Sequence, residues 1–341
     1  MDRLFSISPS PHIKDSDSIQ KIMLCVVAAL VPAGIGAVYF FGMHALLVIL
    51  VAVFTAVATE LGCQKILNRP VTIQDGSAVL TGILLAYNVP AEVPLWLPAI
   101  GSFVGVAVGK MAFGGLGYNP MNPALIGRAF VMASWPTYMT VFQTVPRGGT
   151  LSGIDVITNA TPLNVLKHAR EILANTSDFT TEQITEASQA ISQLNSSTGD
   201  LFIGRIGGCL GETSVLLLLL GAVFLMYKRI IGWKIPFSYI GTVAILTWIF
   251  GGTEGLFSGN PIFHVLSGGL ILGAFFMATD MVTSPITFKG RLLFGTGCGL
   301  LTVLIRLWGG YPEGVSYSIL LMNLATPLLD KYTKPKVFGG K

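Results

Sequence analysis

The stretch IQKIMLCVVAALVPAGIGAVYFF, Ile19–Phe41, decides the fold. Its one charge, Lys21, stands near the start beside Gln20, and the run after it is apolar, aromatic or small. A helix rises about 1.5 Å per residue, so about 17–25 such residues cross the hydrocarbon of a bilayer. Gly42 comes next, then a second run of the same character, Met43–Leu61. The chain is therefore predicted to cross a membrane and return. Composition agrees over all 341 residues: 52% are hydrophobic and 11% charged, whereas a soluble domain carries about 25% charged residues. No single soluble core hides such a surplus. The net charge of +4 does not imply a nucleic-acid partner, because the lysines and arginines fall at the ends of apolar runs. There they act as orientation signals.

Ten such runs are predicted, near Ile19–Phe41, Met43–Leu61, Ser77–Tyr87, Leu95–Phe113, Asn122–Tyr138, Thr213–Tyr227, Ile235–Phe250, Ile262–Ala278, Arg291–Leu307 and Val315–Leu328. The third is short and runs into Tyr87-Asn88-Val89-Pro90, which predicts a broken or half-spanning helix. A polar stretch precedes the first run, whereas a cleaved signal carries its apolar core nearer the start and ends in a small-residue cleavage site. The first run is thus read as a permanent helix. With the N-terminus cytoplasmic, the segments on that side hold fifteen lysines and arginines, and the short loops opposite hold only Arg306. That bias places both termini inside and segment 140–212 outside. The divisions expected are a cytoplasmic segment 1–18, a first helical half 19–139, the extracytoplasmic loop 140–212, a second half 213–330 and a cytoplasmic tail 331–341.

VLTGILLA (Val79–Ala86) resembles VLSGGLILGA (Val265–Ala274), and each precedes a basic residue and a glycine pair, Lys110 with Gly114-Gly115 and Arg306 with Gly309-Gly310. Five spans per half, an odd number, would invert the second copy. The fold class expected is an all-α polytopic membrane protein of about ten transmembrane helices in two inverted five-helix repeats, with a folded extracytoplasmic loop. GGLGYNPMNPALIGR (Gly114–Arg128) carries glycines and two Asn-Pro pairs, which interrupt a helix. Backbone freed there must be satisfied inside protein or a wet cavity. Such repeats and breaks also suit a small-solute channel or carrier without a cofactor.

The long loop contains two amphipathic helices by pattern. The first follows Thr161 as N-cap and Pro162 at the first helical position, with Val165, Leu166, Ala169, Ile172 and Leu173 on one face. In the second, Thr180 and Gln183 form a capping box ahead of Ile184, Ala187, Ile191 and Leu194. The loop is expected to lie folded on the membrane domain. Asn159, Asn175 and Asn195 open glycosylation sequons, which a segment so rich in Asn, Ser and Thr also produces by chance. The four cysteines, Cys25, Cys63, Cys209 and Cys298, lie far apart without a Cys-x-x-Cys spacing. They read as buried apolar side chains, or as a cluster ligand shared with another subunit. No metal site is expected.

DVITNATPL (Asp155–Leu163) resembles the covalent flavinylation motif of the RnfD/NqrB family of membrane subunits. That family belongs to the Rnf ferredoxin:NAD oxidoreductase and to the sodium-pumping NADH:quinone oxidoreductase. SPSPHI (Ser8–Ile13), GYNPMNPALIGRAF (Gly117–Phe130) and ATDMVTSP (Ala278–Pro285) resemble family sequence as well, and the short N-terminal segment resembles the Rnf-type subunit more than the quinone-reductase one. The resemblance implies an FMN joined through its phosphate to Thr161, with Thr158, Ala160 and the upstream Asp155 as the motif read by a flavin transferase outside the cytoplasm. Asn159 stands where the family usually has Gly, and Asn is the next most tolerant residue for a left-handed backbone. The resemblance also implies a place in the cell membrane among other Rnf subunits, including an extracytoplasmic FMN subunit and integral membrane subunits. A second, non-covalent flavin is implied too, with Arg128 as one candidate to meet it and an internal carboxylate as the alternative partner for that arginine. An N-cap threonine would set the phosphate at the positive end of a helix, a favourable anion site.

Ionisable residues at or near membrane depth are Glu60, Asp75, Lys110, Arg128, Glu212, Asp280 and Arg306, and such groups are functional candidates by default. Asp280 ends a glycine-rich run and precedes Thr283, Ser284 and Pro285, which could offer oxygens to a hard cation. It leads as an ion-pathway residue, with Glu60 behind it and Asp75 also read as a helix N-cap. The whole predicts a redox subunit of an ion translocase that relays electrons without being catalytically complete alone. It carries no nucleotide-binding fingerprint and no iron–sulfur motif.

Overall fold

The structure is a computed structural model, which describes residues 17–143, 158–159, 161–174, 179–196, 198–204, 207–212, 214–252, 255–311 and 313–335. Among the described residues the chain is helical, apart from a two-residue pairing of β1 (Phe142–Gln143) with β2 (Thr158–Asn159) and an isolated bridge between Pro90 and Cys209. Ser18 accepts the Lys21 N–H and opens α1 (Ile19–Phe41); Gly42, at φ 79°, then turns the chain into α2 (Met43–Ile66). These two helices and α14 (Phe288–Trp308) are long and apolar enough to cross a membrane. Shorter apolar helices stand beside them: α3 (Ser77–Tyr87), α4 (Trp96–Val106) continued by a π turn through Met111, α5 (Pro123–Ser134), α10 (Val215–Tyr227) and α11 (Lys234–Phe250). The chain is a polytopic membrane protein.

Three runs depart from continuous spans, and the one predicted over Asn122–Tyr138 does so at Trp135, which separates α5 from a short helix over Pro136–Thr140. Helix α3 has 11 residues, about half the thickness of a bilayer's hydrocarbon at the usual rise. The run predicted over Ile262–Ala278 breaks into α12 (Pro261–Leu266), a bend at Ser267–Gly269, and α13 (Leu270–Leu272) with a π turn to Met277. Gly268 holds φ 67° there, a conformation side chains resist. Close packing explains the remaining helices. A Cβ on Gly127 of α5 would meet the Gly101 carbonyl of α4 at 2.3 Å, so the two backbones touch where only glycine fits.

After the small α6 (Pro136–Thr140) come α7 (Pro162–Ala174), α8 (Thr181–Ser196) and α9 (Thr198–Ile203). Ala169 and Ile172 of α7 pack on Ala187 of α8, while Leu163 packs on Leu201 and on Phe263 of α12. The expected amphipathic faces thus meet each other and the membrane domain. Arg170 donates to the carbonyls of Phe250 and Gly252, and Lys167 to that of Gly309, at the C-terminal ends of α11 and α14. The last helix, α15 (Val315–Tyr332), returns to the start of α14, where Asp330 accepts the Ile286 N–H. The described ends of the chain therefore lie on the face opposite the α7–α9 unit.

Candidate functional site

Thr161 is 4% exposed and caps α7: its Oγ1 accepts the Asn164 N–H at 3.3 Å, and its carbonyl accepts that of Val165 at 2.9 Å. Pro162 fills the first helical position, as the sequence leads one to expect. Thr158 lies in β2, paired with Gln143. Asp155 and Ala160 fall outside the described residues. Thr161 lines a cavity of about 20 Å³ with Gly208, Gly268, Glu212 and Glu313. Two carboxylates thus border the hydroxyl that the motif marks.

Those carboxylates belong to a buried cluster. Arg128 on α5 donates to Glu313, to Ser316, and to the Asn88 side chain at 3.0 Å. Its partner is an internal carboxylate. Glu212 stands beside Glu313, and its Oε1 has no hydrogen-bond partner. Burial first, and the neighbouring Glu313 second, hold the Glu212 carboxyl well above the usual carboxylate range, against the lowering effect of Arg128. Cys209 joins them: its sulfur and a carboxylate oxygen of each Glu lie within 4.8 Å of one another. Burial, then the two carboxylates, pushes this thiol up, so it is held as a thiol. With Arg128 already providing the positive charge, the cluster reads as a proton-holding group rather than a metal centre. The stretch 207–212 is placed by backbone bonds from Leu210 N–H to the Val89 carbonyl and from Gly211 N–H to that of Tyr87, at the C-terminal end of α3.

On the opposite face the structure joins two of the predicted ion-pathway residues. Lys110 donates to both Glu60 oxygens at 2.8 Å and to Ser77 Oγ at 2.6 Å, and Ser77 donates to Asp75. Gln64 closes the shell on Glu60 at 3.2 Å. Asp75 accepts the Ser77 N–H at 2.8 Å, but the cap position of α3 belongs to Gly76, whose φ of 76° makes the turn. That moves the expected N-cap by one residue, within the usual scatter of helix ends. Asp280 accepts from Thr283 at 3.1 Å and from the Val282 N–H at 3.3 Å. It shares a cavity of about 90 Å³ with Ser77, Thr81, Lys110, Asn119 and Asn122. The Asn-Pro pairs of the interrupted stretch therefore line this space.

Sequence reasoning missed Glu313, which stands in the short stretch YPEGVS and looks like a surface charge. The need of Arg128 for a carboxylate was the available signal. It also missed His264, 2% exposed on α12, and it did not join Cys209 to these carboxylates.

The NQR2, RnfD, RnfE family matches residues 6–339. The D subunit of a proton-translocating ferredoxin:NAD(+) oxidoreductase complex from Clostridium ljungdahlii is 49% identical over 99% of this chain and 97% of the relative. The D subunit of a Na(+)-translocating ferredoxin:NAD(+) oxidoreductase complex from Acetobacterium woodii is 46% identical over 98% and 95%. The D subunit of an ion-translocating oxidoreductase complex from Escherichia fergusonii is 36% identical over 99% of each. On these matches along almost its whole length, the chain belongs to the NQR2, RnfD, RnfE family.

Proposed function

We propose that this chain is the RnfD-type subunit of an ion-translocating ferredoxin:NAD oxidoreductase complex and carries FMN as a phosphoester on Thr161. The observation that carries the reading is the placement of Thr161: the threonine of the motif is the N-cap of a 13-residue helix, so a phosphate there meets the positive helix end. The site's charges fit the group. Arg128 pairs with Glu313, and burial raises the neighbouring Glu212 carboxyl, which lessens the negative charge that a phosphodiester meets. When bound, flavin exchanges one or two electrons, while the protein positions it and tunes its electrostatics. The α7–α9 unit, packed on Phe263 of α12 through Leu163 and Leu201, holds that position.

The cytoplasmic placement of both termini, with α7–α9 outside the inner membrane, accords with both described ends lying opposite that unit. Two inverted five-helix halves are supported by like pairings: α2 packs on α4 and α4 on α5, as α11 packs on α14 and α14 on α15. The cavity with Asp280, Asn119 and Asn122 supports an ion path through Asp280, with Glu60 and Asp75 beside it. Relatives 49% and 46% identical are named for protons and for Na(+), so overall likeness does not choose the ion.

The test is in-gel flavin fluorescence of the denatured protein from a host that holds the flavin transferase, beside Thr161→Val. A fluorescent band lost in the variant supports the reading. A dark wild-type band overturns it and returns Thr161 to the role of helix cap.

A further inference from the structure

A second cavity on the same face has no part in the flavin reading. It measures about 210 Å³ and is lined by Lys167, Arg170, Arg306, His264, Glu171 and apolar side chains including Leu163. Among the described residues its cations donate only to carbonyls. Arg306, 4% exposed, donates to the carbonyls of His264, Ser267 and Glu313. Arg170 and Lys167 donate to those of Phe250, Gly252 and Gly309. Glu171 is exposed and forms no ion pair with them among the described residues. His264, 2% exposed, has both ring nitrogens without a hydrogen-bond partner, although at least one carries a proton. Buried polar groups are almost always partnered. The cavity is thus built for an acceptor-rich anion.

Its rim says where that anion comes from. The carbonyls of Phe250 and Gly309 that anchor Arg170 and Lys167 belong to an aromatic band: Phe250 stacks edge-on against Trp308, and Trp248 against Phe257, all four exposed. Exposed Trp and aromatic pairs at the ends of spans mark the headgroup level of a bilayer. We infer that this cavity binds the phosphate headgroup of an anionic phospholipid in the leaflet on the α7–α9 face, with Arg306, Arg170, Lys167 and His264 as its donors. The flavin phosphate is a separate group, because Thr161 opens into the neighbouring small cavity and the Leu163 side chain lines both. A lipid held here would clamp α7 to the ends of α11 and α14.

The test uses the purified complex in nanodiscs of mixed phosphatidylglycerol and phosphatidylcholine, with phospholipid retained on this subunit counted by native mass spectrometry. Phosphatidylglycerol should be retained over phosphatidylcholine. Arg170→Gln and Lys167→Gln should each lower that retention about five-fold, the effect of one basic residue near an anionic surface. Covalent flavin fluorescence should be unchanged in both variants, which separates this site from Thr161. Arg306→Gln is avoided because it also strips three carbonyls of their donor. Equal retention of the two lipids overturns the inference. So does loss of phosphatidylglycerol in Thr161→Val, which would give the cavity to the flavin phosphate. Protection of the subunit by inorganic phosphate in phosphatidylcholine-only discs, without a lipid preference, would assign it to a free anion instead.

Discussion

Two buried charge clusters stand on opposite faces of this molecule, and they are built differently. Lys110 and Glu60 are 1% exposed each, and every strong valence is met: three donations from the ammonium, both carboxylate oxygens engaged, Gln64 behind them. Around Arg128 one guanidinium faces two carboxylates, and one oxygen of Glu212 is left without a partner. A closed pair has no spare valence while Lys110 holds Glu60. An open cluster keeps a spare proton and a spare acceptor, and it borders the threonine of the flavinylation motif. The difference teaches that burial of charge alone does not mark function; unspent hydrogen-bonding capacity does.

The largest effect expected is on the closed pair. Lys110→Met leaves Glu60 buried without its cation and should destabilise the protein by about 3–5 kcal/mol. Thermal unfolding in detergent would show it, and Glu60→Gln added to Lys110→Met should restore much of the loss. A single variant that melts with the wild type would break the comparison at its firmer end.

Glu313→Gln is expected to cost less, about 1–3 kcal/mol, because Glu212 can ionise and take over Arg128. Removing both carboxylates takes that reserve away. The double variant should therefore exceed the sum of the singles by about 0.5–3 kcal/mol, the range for residues in one network. Strict additivity in the melting data would mean that the two glutamates do not share the arginine.

Smaller still is the pH effect of Glu212. Its folded-state value is raised by burial above the ordinary 4.5, so the folded state binds its proton more tightly than the unfolded state does. Its contribution is present in full below that ordinary value and fades as pH rises through the folded-state value. Glu212→Gln should flatten the decline in stability above pH 4.5 and change little below it. Melting profiles of the two proteins that run parallel with pH would show that Glu212 titrates as an exposed carboxylate does.

Much of this was legible in the chain before folding, wherever the signal is local. Ile19–Phe41 announces α1 by length and apolarity, and the Thr161-Pro162 cap and the Thr180–Gln183 box announce the two loop helices. The half-length of α3 was legible from its early Tyr-Asn-Val-Pro stop. The two clusters were not, because their pairings are distant: Arg128 and Glu313 lie 185 residues apart, and Glu60 and Lys110 50 apart. Nothing in YPEGVS distinguishes a glutamate that will be buried from one on a surface loop. The place of Cys209 beside these carboxylates was hidden for the same reason. The bend within Ile262–Ala278 was hidden by its composition, since glycines in an apolar run fit a close-packed helix as well as a break.

The capping box on α8 sharpens the comparison from the other side, being polar, exposed and far from either cluster. Thr180 N–H donates to Gln183 Oε1 at 3.0 Å, and Gln183 N–H donates back to Thr180 Oγ1 at 3.4 Å. Thr180→Ala removes one of these bonds and should cost about 0.5–1 kcal/mol. Because the bond is local, the loss should appear only as faster hydrogen exchange at the first turn of α8, by about two- to five-fold. The apolar face of α8 against α7 is untouched, so α7, its tie to α11 and the covalent flavin should be unaffected. Exchange that quickens along α7 as well would mean that the loop unit opens as one body. In that case the position of Thr161 depends on the whole α7–α9 unit and not on its own cap.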